Sequence, residues 1–415
     1  MKTKNTLTIL VVLFLVAALA ACSSSTATSA PVEVTVSETA VATQSVPGAP
    51  PDGEMGGGPG GGTMTVDTGT GAYILADGEE ISGGTYTSTN ADENAIRAEG
   101  DITALLEGVV VEKTDGAASS SDASSFYGLN SAILALDNAT LTITGGTVTA
   151  TAEGANGVFA YDGATVYIAD TVINVSGGNA GGIQVAGGGT MVATNLTVNA
   201  TVKAAIRSDR GGGTLTVDGG TYTTSGSSGA PAIYSTANII VSNAMLIAND
   251  SEAVVVEGLN SVTLIDCDVT GNMSGTYGES SGENIQNVML YQSMSGDAKV
   301  GTSSFTMTGG TLVSKNGDMF YVTNTDSIIT LSDVDLTLAD GTYLLLVSGN
   351  DGERGWGTAG SNGGDATFNI SEQVISGDIQ VDSISTLEMN ISNSSFFTGS
   401  INSDGTQASS LSVTI

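Results

Sequence analysis

Two polar segments of the sequence, 292–303 and 348–365, hold side chains that could bind a sugar. Trp356, the only tryptophan, offers an aromatic face on which a sugar ring could pack. Hydrogen-bond donors and acceptors for sugar hydroxyls are supplied in and beside the same segments. These polar candidates are Arg354, Asp351, Asn362, Lys299 and Tyr291. Two interpretations stay open here: the segments cover a sheet, with Trp356 packed on apolar side chains, or these residues form a ligand site.

Catalytic groups are scarce in this sequence. The chain has no histidine, which removes the commonest acid–base group and the commonest metal ligand. The carboxylates near the predicted site are Asp297, Asp351, Glu353 and Asp365. Such carboxylates could hold a structural Ca²⁺, so a metal site stays open, whereas no other cofactor is expected. More of these observations favour a binding protein than an enzyme.

The charge balance limits the partners. Asp and Glu number 43 and Lys and Arg number 10; two of the lysines, Lys2 and Lys4, lie in the leader described below, so eight basic residues remain and the net charge there is −35. Such a surface repels nucleic acid and other polyanions. We expect no nucleic-acid partner, and any bound glycan is expected to be neutral.

The N-terminus has the pattern of an export signal. Two lysines precede an apolar run that ends "LAAC" at Leu19–Cys22. A short basic end, an apolar centre and small residues are typical of a secretory signal. The ending resembles the lipobox of bacterial lipoproteins, which implies a signal peptide over 1–21 and lipid on Cys22. The resemblance predicts a protein anchored to the cell envelope by lipid and facing outside the cytoplasm.

The next segment, 22–63, is rich in Ser, Thr, Pro and Gly and predicts a disordered tether. The folded domain is expected over 64–415, where short apolar runs alternate with polar residues and no 3.6-residue period is evident. The one cysteine of this region, Cys267, leaves no partner for a disulfide within the folded domain.

A repeated pattern defines that domain. "LTITGGTV" at 141–148 returns as "LTVDGGTY" at 215–222 and "FTMTGGTL" at 305–312. The pattern is an apolar residue, a second two positions later and a third five positions after that, and ten copies run from Leu141 to Phe396. Most copies are 21–25 residues apart, with two longer steps of 43 and 39. A period of this length built from strands predicts a solenoid.

Each repeat is expected to contain three short strands. Residues two apart share a face of a strand, and the five-residue step needs a corner, which Gly-Gly supplies at 145–146, 219–220 and 309–310. A further apolar run precedes each copy, such as "NSAILAL" before Leu141. Earlier turns near Tyr86 and Val110 bring the total to about twelve coils.

This pattern resembles the right-handed parallel β-helices of the pectin-lyase-like superfamily. "LYQSMSGDAKVGTSSFTMTGG" (290–310), "FYVTNTD" (320–326) and "WGTAGSNGG" (356–364) also resemble a group of uncharacterised bacterial secreted β-helix proteins. The resemblance implies an all-β, single-stranded, right-handed parallel β-helix. Lyases of this fold bind Ca²⁺ through Asp clusters and use Arg or Lys as base, and Arg354 or Lys299 beside the carboxylates could imitate that arrangement.

Lys203, Arg207 and Arg210 form the only basic cluster. We expect a solvated edge at which these residues pair with nearby acids, and "DRGGG" at 209–213 is expected to be a structural turn.

The favoured function is a non-enzymatic adhesin or envelope interaction module that binds a neutral glycan or a surface protein. The alternative is a polysaccharide lyase or glycoside hydrolase, which rests on the fold alone.

Overall fold

The computed structural model describes residues 66–277, 284–293, 295–349 and 356–415. These residues belong to one compact unit within Met55–Ile415. Over these ranges no helix is both long enough and apolar enough to span a membrane. The predicted signal peptide, Cys22 and the predicted tether lie outside the described residues.

The fold is an all-β parallel solenoid of about 13 turns, and every pairing between its strands is parallel. One sheet has twelve strands, at most one from each turn. Its strands are Thr70–Ile74, Glu93–Glu99, Ile133–Leu136, Val158–Tyr161, Ile183–Ala186, Ile206–Ser208, Ile233–Ser235, Val254–Glu257, Gln286–Tyr291, Asp318–Thr323, Leu345–Val347 and Ile379–Val381. The predicted β-solenoid of about twelve coils with three strands per coil is confirmed.

The remaining strands form the other faces of the solenoid, in one sheet of 21 strands and one of two. The strands of the larger sheet are Glu80–Ser82, Thr85–Ser88, Thr103–Glu107, Val110–Lys113, Thr140–Thr144, Thr147–Ala150, Thr165–Ala169, Val172–Val175, Gly189–Ala200, Gly213–Thr224, Asn238–Ser242, Met245–Ala248, Ser261–Ile265, Asp268–Gly271, Ser303–Thr308, Thr311–Ser314, Asp326–Ser332, Asp335–Thr337, Asp365–Ser371, Thr386–Ser392 and Ser410–Thr414. The two-stranded sheet pairs Val374–Ser376 with Phe396–Thr398.

Apolar columns inside the coils form the core. Leu141 is aligned with Val166, Val166 with Met191, and Met191 with Leu215. These four side chains are fully buried. Because one coil cannot bury its own apolar face, each coil is stabilised by the coil stacked on it.

The predicted glycine corners have the backbone that only glycine adopts easily. Gly145 and Gly146 have φ values of 66° and 79°. A Cβ at Gly146 would lie 2.1 Å from the carbonyl oxygen of Val109 in the coil below. In other coils Asp or Asn takes the first corner position with positive φ, as at Asp170 and Asn195.

The last copy of the repeat differs from the prediction. Phe396 was expected in an apolar column, but it is 64% exposed, and Phe397 is the residue aligned with Ile375. The corner before it is one residue longer than in the previous coil, with positive φ at both Asn393 and Ser394. One additional residue moves the column position by one along the strand.

A single helix, Ser121–Tyr127, is present in the described residues, although the sequence indicated none. Ser120 caps its N-terminus by accepting the Ala123 amide, and Gly128 ends it in the left-handed conformation. Seven residues are too few to show a helical period in the sequence. The only sequence features that indicate this helix are its capping residues, Ser120 and Gly128.

Candidate ligand-binding cleft

The outer face of the twelve-stranded sheet has a continuous column of large side chains. Strand register places Gln184 beside Arg207, Arg207 beside Tyr234, and Tyr234 beside Val255. Their chain neighbours, such as Ile206 and Ile233, point into the core. Two apolar clusters separate from the main core lie on this face, so insertions from the solenoid cover it in two places.

The first cover is the helix Ser121–Tyr127. Side-chain amides of Asn156, Asn179 and Gln184 donate to its main-chain oxygens at 2.9, 2.9 and 2.6 Å. The Tyr127 ring packs edge-on against Tyr161 at 5.5 Å. These contacts hold the helix over the sheet. Each amide donates to a helix carbonyl oxygen that would otherwise need a hydrogen bond from water.

The second cover is aromatic. Trp356 packs edge-on against Tyr291 at 4.8 Å and against Tyr277 at 6.4 Å. Asn324 connects two insertions, because its amide donates to the Gln292 carbonyl at 2.7 Å while its backbone N–H donates to the Asn362 carbonyl at 3.0 Å. Described residues of segments 292–303 and 348–365 are therefore linked through Asn324 on this face.

Buried carboxylates hold this second cover in place. Glu257 is 1% exposed and accepts from the hydroxyls of Tyr234, Tyr291 and Ser293. Glu252 is fully buried and accepts from Tyr277. A buried carboxylate needs such donors, since its desolvation would otherwise cost several kcal/mol.

A cleft of about 280 Å³ lies beside the helix Ser121–Tyr127. Its lining includes helix residues together with Tyr234 and Asp297. Its charged lining residues are Lys203, Arg207, Asp122, Asp209 and Asp297. The ring of Phe126 adds an apolar surface to the same cleft. The cleft therefore offers aromatic surface and both signs of charge in one concave site.

Arg207 and Asp209 form a buried ion pair in this cleft. Arg207 Nη2 lies 2.5 Å from Asp209 Oδ2, and the two side chains are 8% and 3% exposed. The other carboxylate oxygen of Asp209 accepts the backbone N–H of Arg210 at 2.9 Å. Arg207 Nη1 is buried and has no hydrogen-bond partner among the described residues. One strong donor of the cleft is thus left for a ligand.

Lys203 is the second cation of the cleft. The positive charge of Arg207, together with burial, lowers the pKa of Lys203 to about 8. No ion pair or hydrogen bond of its ammonium group is found among the described residues. Lys203 is therefore a charged donor at neutral pH that is not already used within the described part of the chain.

Arg210 joins the segments around the cleft. Its guanidinium carbon lies 4.0 Å from the centre of the Phe126 ring, and its Nη2 atom lies 2.6 Å from Asp297 Oδ1. The contact to Phe126 is a cation–π interaction. Arg210 thus connects the helical insertion to segment 295–303 across the edge of the sheet.

The residues predicted from the sequence have different surroundings. Tyr291 and Asn362 are buried, at 7% and 1% exposure, and Asn362 donates to the Trp356 carbonyl. Trp356 is half-buried beside them, while Lys299 is exposed. Arg354 and Asp351 lie outside the described residues, as does Glu353. The structure therefore brings Trp356, Tyr291 and Asn362 together as a packed cover.

The cleft residues were not predicted as a site. A solvated edge was expected for Lys203, Arg207 and Arg210. This prediction is wrong for Arg207, which is only 7% exposed. Their predicted pairing with acids is confirmed for Arg207 and Arg210. The concentration of three of the eight basic residues within eight positions was the available signal.

No group of three or more His, Cys, Asp or Glu side chains that could hold a metal ion is found among the described residues. No protein-family model matches the chain, and no similar curated protein or solved structure was found. Functional inference for this protein therefore rests on the solenoid and on the chemistry of its cleft.

Proposed function

We propose that this protein is a lipid-anchored, extracytoplasmic β-helix that binds carbohydrate in the cleft and acts as a non-enzymatic adhesin or envelope interaction module. The observation that carries the proposal is the buried Arg207 Nη1, which has no partner in the described part of the chain and belongs to a side chain that lines the cleft together with Lys203. An unpartnered buried donor is costly in a free protein and is compensated when a ligand accepts from it.

The composition of the cleft suits a sugar. Phe126 and Tyr234 provide apolar surface, and Lys203 and Arg207 provide donors. The carboxylates Asp122 and Asp297 can accept hydrogen bonds from hydroxyl groups. A sugar ring needs this combination, because it has an apolar face and a rim of hydroxyls.

The cations of the cleft favour an acidic sugar over the neutral glycan expected from net charge. Charge repulsion from distant carboxylates is screened beyond roughly 10 Å in physiological salt. Two of the three carboxylates that line the cleft are already paired, Asp209 with Arg207 and Asp297 with Arg210, so we expect Lys203 and Arg207 to be the stronger influence on a ligand. A sugar carboxylate would accept from Arg207 Nη1 and Lys203, and its hydroxyls would use the remaining groups.

We expect an oligogalacturonate to bind purified protein more tightly than a neutral galacto-oligosaccharide of the same length. Removing the cleft ammonium in Lys203→Ala should weaken oligogalacturonate binding by about ten- to a hundredfold, because a hydrogen bond to a charged group is worth about 1.5–3 kcal/mol. Isothermal titration calorimetry measures both affinities.

Lys299→Ala is the matched control, since Lys299 is exposed and belongs to the site first predicted from the sequence. It should bind like the wild type. If Lys299→Ala loses binding while Lys203→Ala keeps it, the ligand lies at the insertion near Trp356 and not in the cleft.

The second candidate function is enzymatic elimination of a polysaccharide. Under this proposal the protein would be a member of the pectin-lyase-like superfamily. The observation that favours it is Lys203, whose pKa of about 8 suits a general base near neutral pH. The calorimetry mixtures distinguish the two functions, because elimination produces an unsaturated sugar that absorbs ultraviolet light. A product that forms with wild type and not with Lys203→Ala would identify an enzyme.

The proposed anchor is Cys22, because "LAAC" at 19–22 ends the apolar leader. Cys22→Ala should move the protein from the detergent-extracted membrane fraction to the soluble fraction, since acyl chains contribute ~0.8 kcal/mol per buried CH₂. Fractionation followed by immunoblotting measures the change. Unchanged membrane association of Cys22→Ala would show that another segment holds the protein there.

A further inference from the structure

Asp209 is the ion-pair partner of Arg207, the residue that carries the unpaired donor described above. Asp209 is 2% exposed, and its carboxylate accepts from Arg207 Nη2, whereas Nη1 has no partner within the ranges that the structure describes. A ligand in the cleft would therefore share Arg207 with Asp209. A ligand anion that approaches this guanidinium also approaches the Asp209 carboxylate. Two anions on one buried cation repel each other unless one of them is neutralised.

Charged groups surround Asp209 from several elements. Arg207 lies on the strand that ends just before Asp209, Lys203 lies before that strand, and Arg210 follows in the turn. Asp297 of segment 295–303 acts on the same carboxyl group. Tyr234 on the next strand and Asp122 on the helix complete the lining. Asp297 is itself paired with Arg210, so Lys203 and Arg207 are the cations available to both Asp209 and a ligand.

We propose that anion binding in the cleft is coupled to protonation of Asp209. The ligand carboxylate becomes an acceptor for Arg207, and Asp209 takes one proton from solvent as its new O–H bond forms. No other bond is made or broken. This inference rests on the proposed function and adds the regulation of that site by pH.

The direction of the effect follows from the charges. Burial raises the pKa of Asp209 to about 6, and the opposing attraction of Arg207 is the smaller influence. A nearby ligand carboxylate raises that pKa further. Sugar carboxyl groups titrate near ~4, with ordinary carboxyl groups, and so stay charged at pH 5. Around pH 6, where Asp209 of the free protein loses its proton, the ligand is charged. In the complex Asp209 keeps its proton over the same pH range.

Affinity should consequently fall as pH rises. Above pH 6 each bound oligogalacturonate should take up one proton, and its affinity should fall about tenfold per pH unit. Below pH 6 the unliganded Asp209 is already protonated, and the affinity should level off. Deprotonation of Lys203 through its pKa of about 8 steepens the fall at alkaline pH.

Calorimetry with oligogalacturonate from pH 5 to 8, in buffers of different ionisation enthalpy, measures affinity and proton uptake together. Asp209→Asn keeps the shape of the side chain and is permanently neutral, so its affinity should change much less than that of the wild type between pH 5 and pH 7, and any proton uptake that remains should come from Lys203. Asp340→Asn is the matched control, because Asp340 is an exposed aspartate that does not line the cleft, and it should keep the pH dependence of the wild type.

A measurement without ligand tests the same group. Carbon-13 NMR titration of wild type, with Asp209→Asn to assign the carboxyl signal, should give a pKa for Asp209 near the expected value of about 6. An ordinary pKa near ~4 would overturn the coupling. Binding without proton uptake would also overturn it and leave the proposed function intact, whereas failure of oligogalacturonate to bind at every pH would remove the proposed function itself.

Discussion

Replacing Ile168 with aspartate is expected to lower the free energy of unfolding by about 4 kcal/mol or more, because it combines loss of a core side chain with burial of a charge. Ile168 is 2% exposed and stacks between Ile143 of one coil and Ala193 of the next. The new carboxylate would find only apolar neighbours in this column. Urea denaturation followed by circular dichroism measures the loss.

The adjacent residue provides a matched control. Tyr167 is on the same strand, points outward and is 46% exposed. Tyr167→Asp introduces the same charge one position away and should change stability by roughly 1 kcal/mol or less. Equal losses in both variants would show that the column is not the source of stability at this coil. A change of the denaturant slope in one variant would instead indicate that the coils unfold in separate steps.

The coils were predictable because their stability is local and repetitive. Leu141, Val166 and Met191 occupy one position of a recurring pattern, and a period of two within strands identifies the buried face without any long-range information. The prediction was wrong where a corner changed length, as it did before Phe397. Corner length depends on backbone angles such as those of Asn393 and Ser394, which the apolar pattern does not reveal.

The cleft was not predictable, because it depends on contacts between distant parts of the chain. Arg210 contacts Phe126 and Asp297, which lie 84 residues before it and 87 residues after it. The pattern of the coils places Arg210 at a turn, but it does not show which insertions fold back over that turn. Trp356 attracted the sequence-based prediction because of its rarity, and the structure packs it against Tyr291.

The second large effect is expected at the buried ion pair of the cleft. Arg207→Met removes the ion-pair partner of Asp209, whose side chain is 3% exposed, and leaves only the weaker attraction of Lys203. Breaking a buried pair in this way costs about 3–5 kcal/mol. The cost should be largest at alkaline pH, where Asp209 must either stay charged while buried or hold a proton that the unfolded chain has released.

Acid should restore part of that stability. In the folded wild type burial already raises the pKa of Asp209 to about 6, above its value in an unfolded chain. Loss of Arg207 raises the pKa further, since the attraction that opposed the shift is gone. The folded variant then binds more protons than the unfolded one, so its stability rises as the pH falls from 8 towards 5.

Arg210→Met is the matched control for this experiment. Arg210 also has an aspartate partner, but the two side chains are 32% and 24% exposed, so water can solvate Asp297 when the arginine is removed. We expect a loss of about 1 kcal/mol, with little recovery in acid. Asp209→Asn combined with Arg207→Met should recover most of the stability lost in Arg207→Met at pH 8, because no charge then remains buried. A double variant as unstable as Arg207→Met would show that Arg207 stabilises the fold through its packing under the helix and not by compensating Asp209.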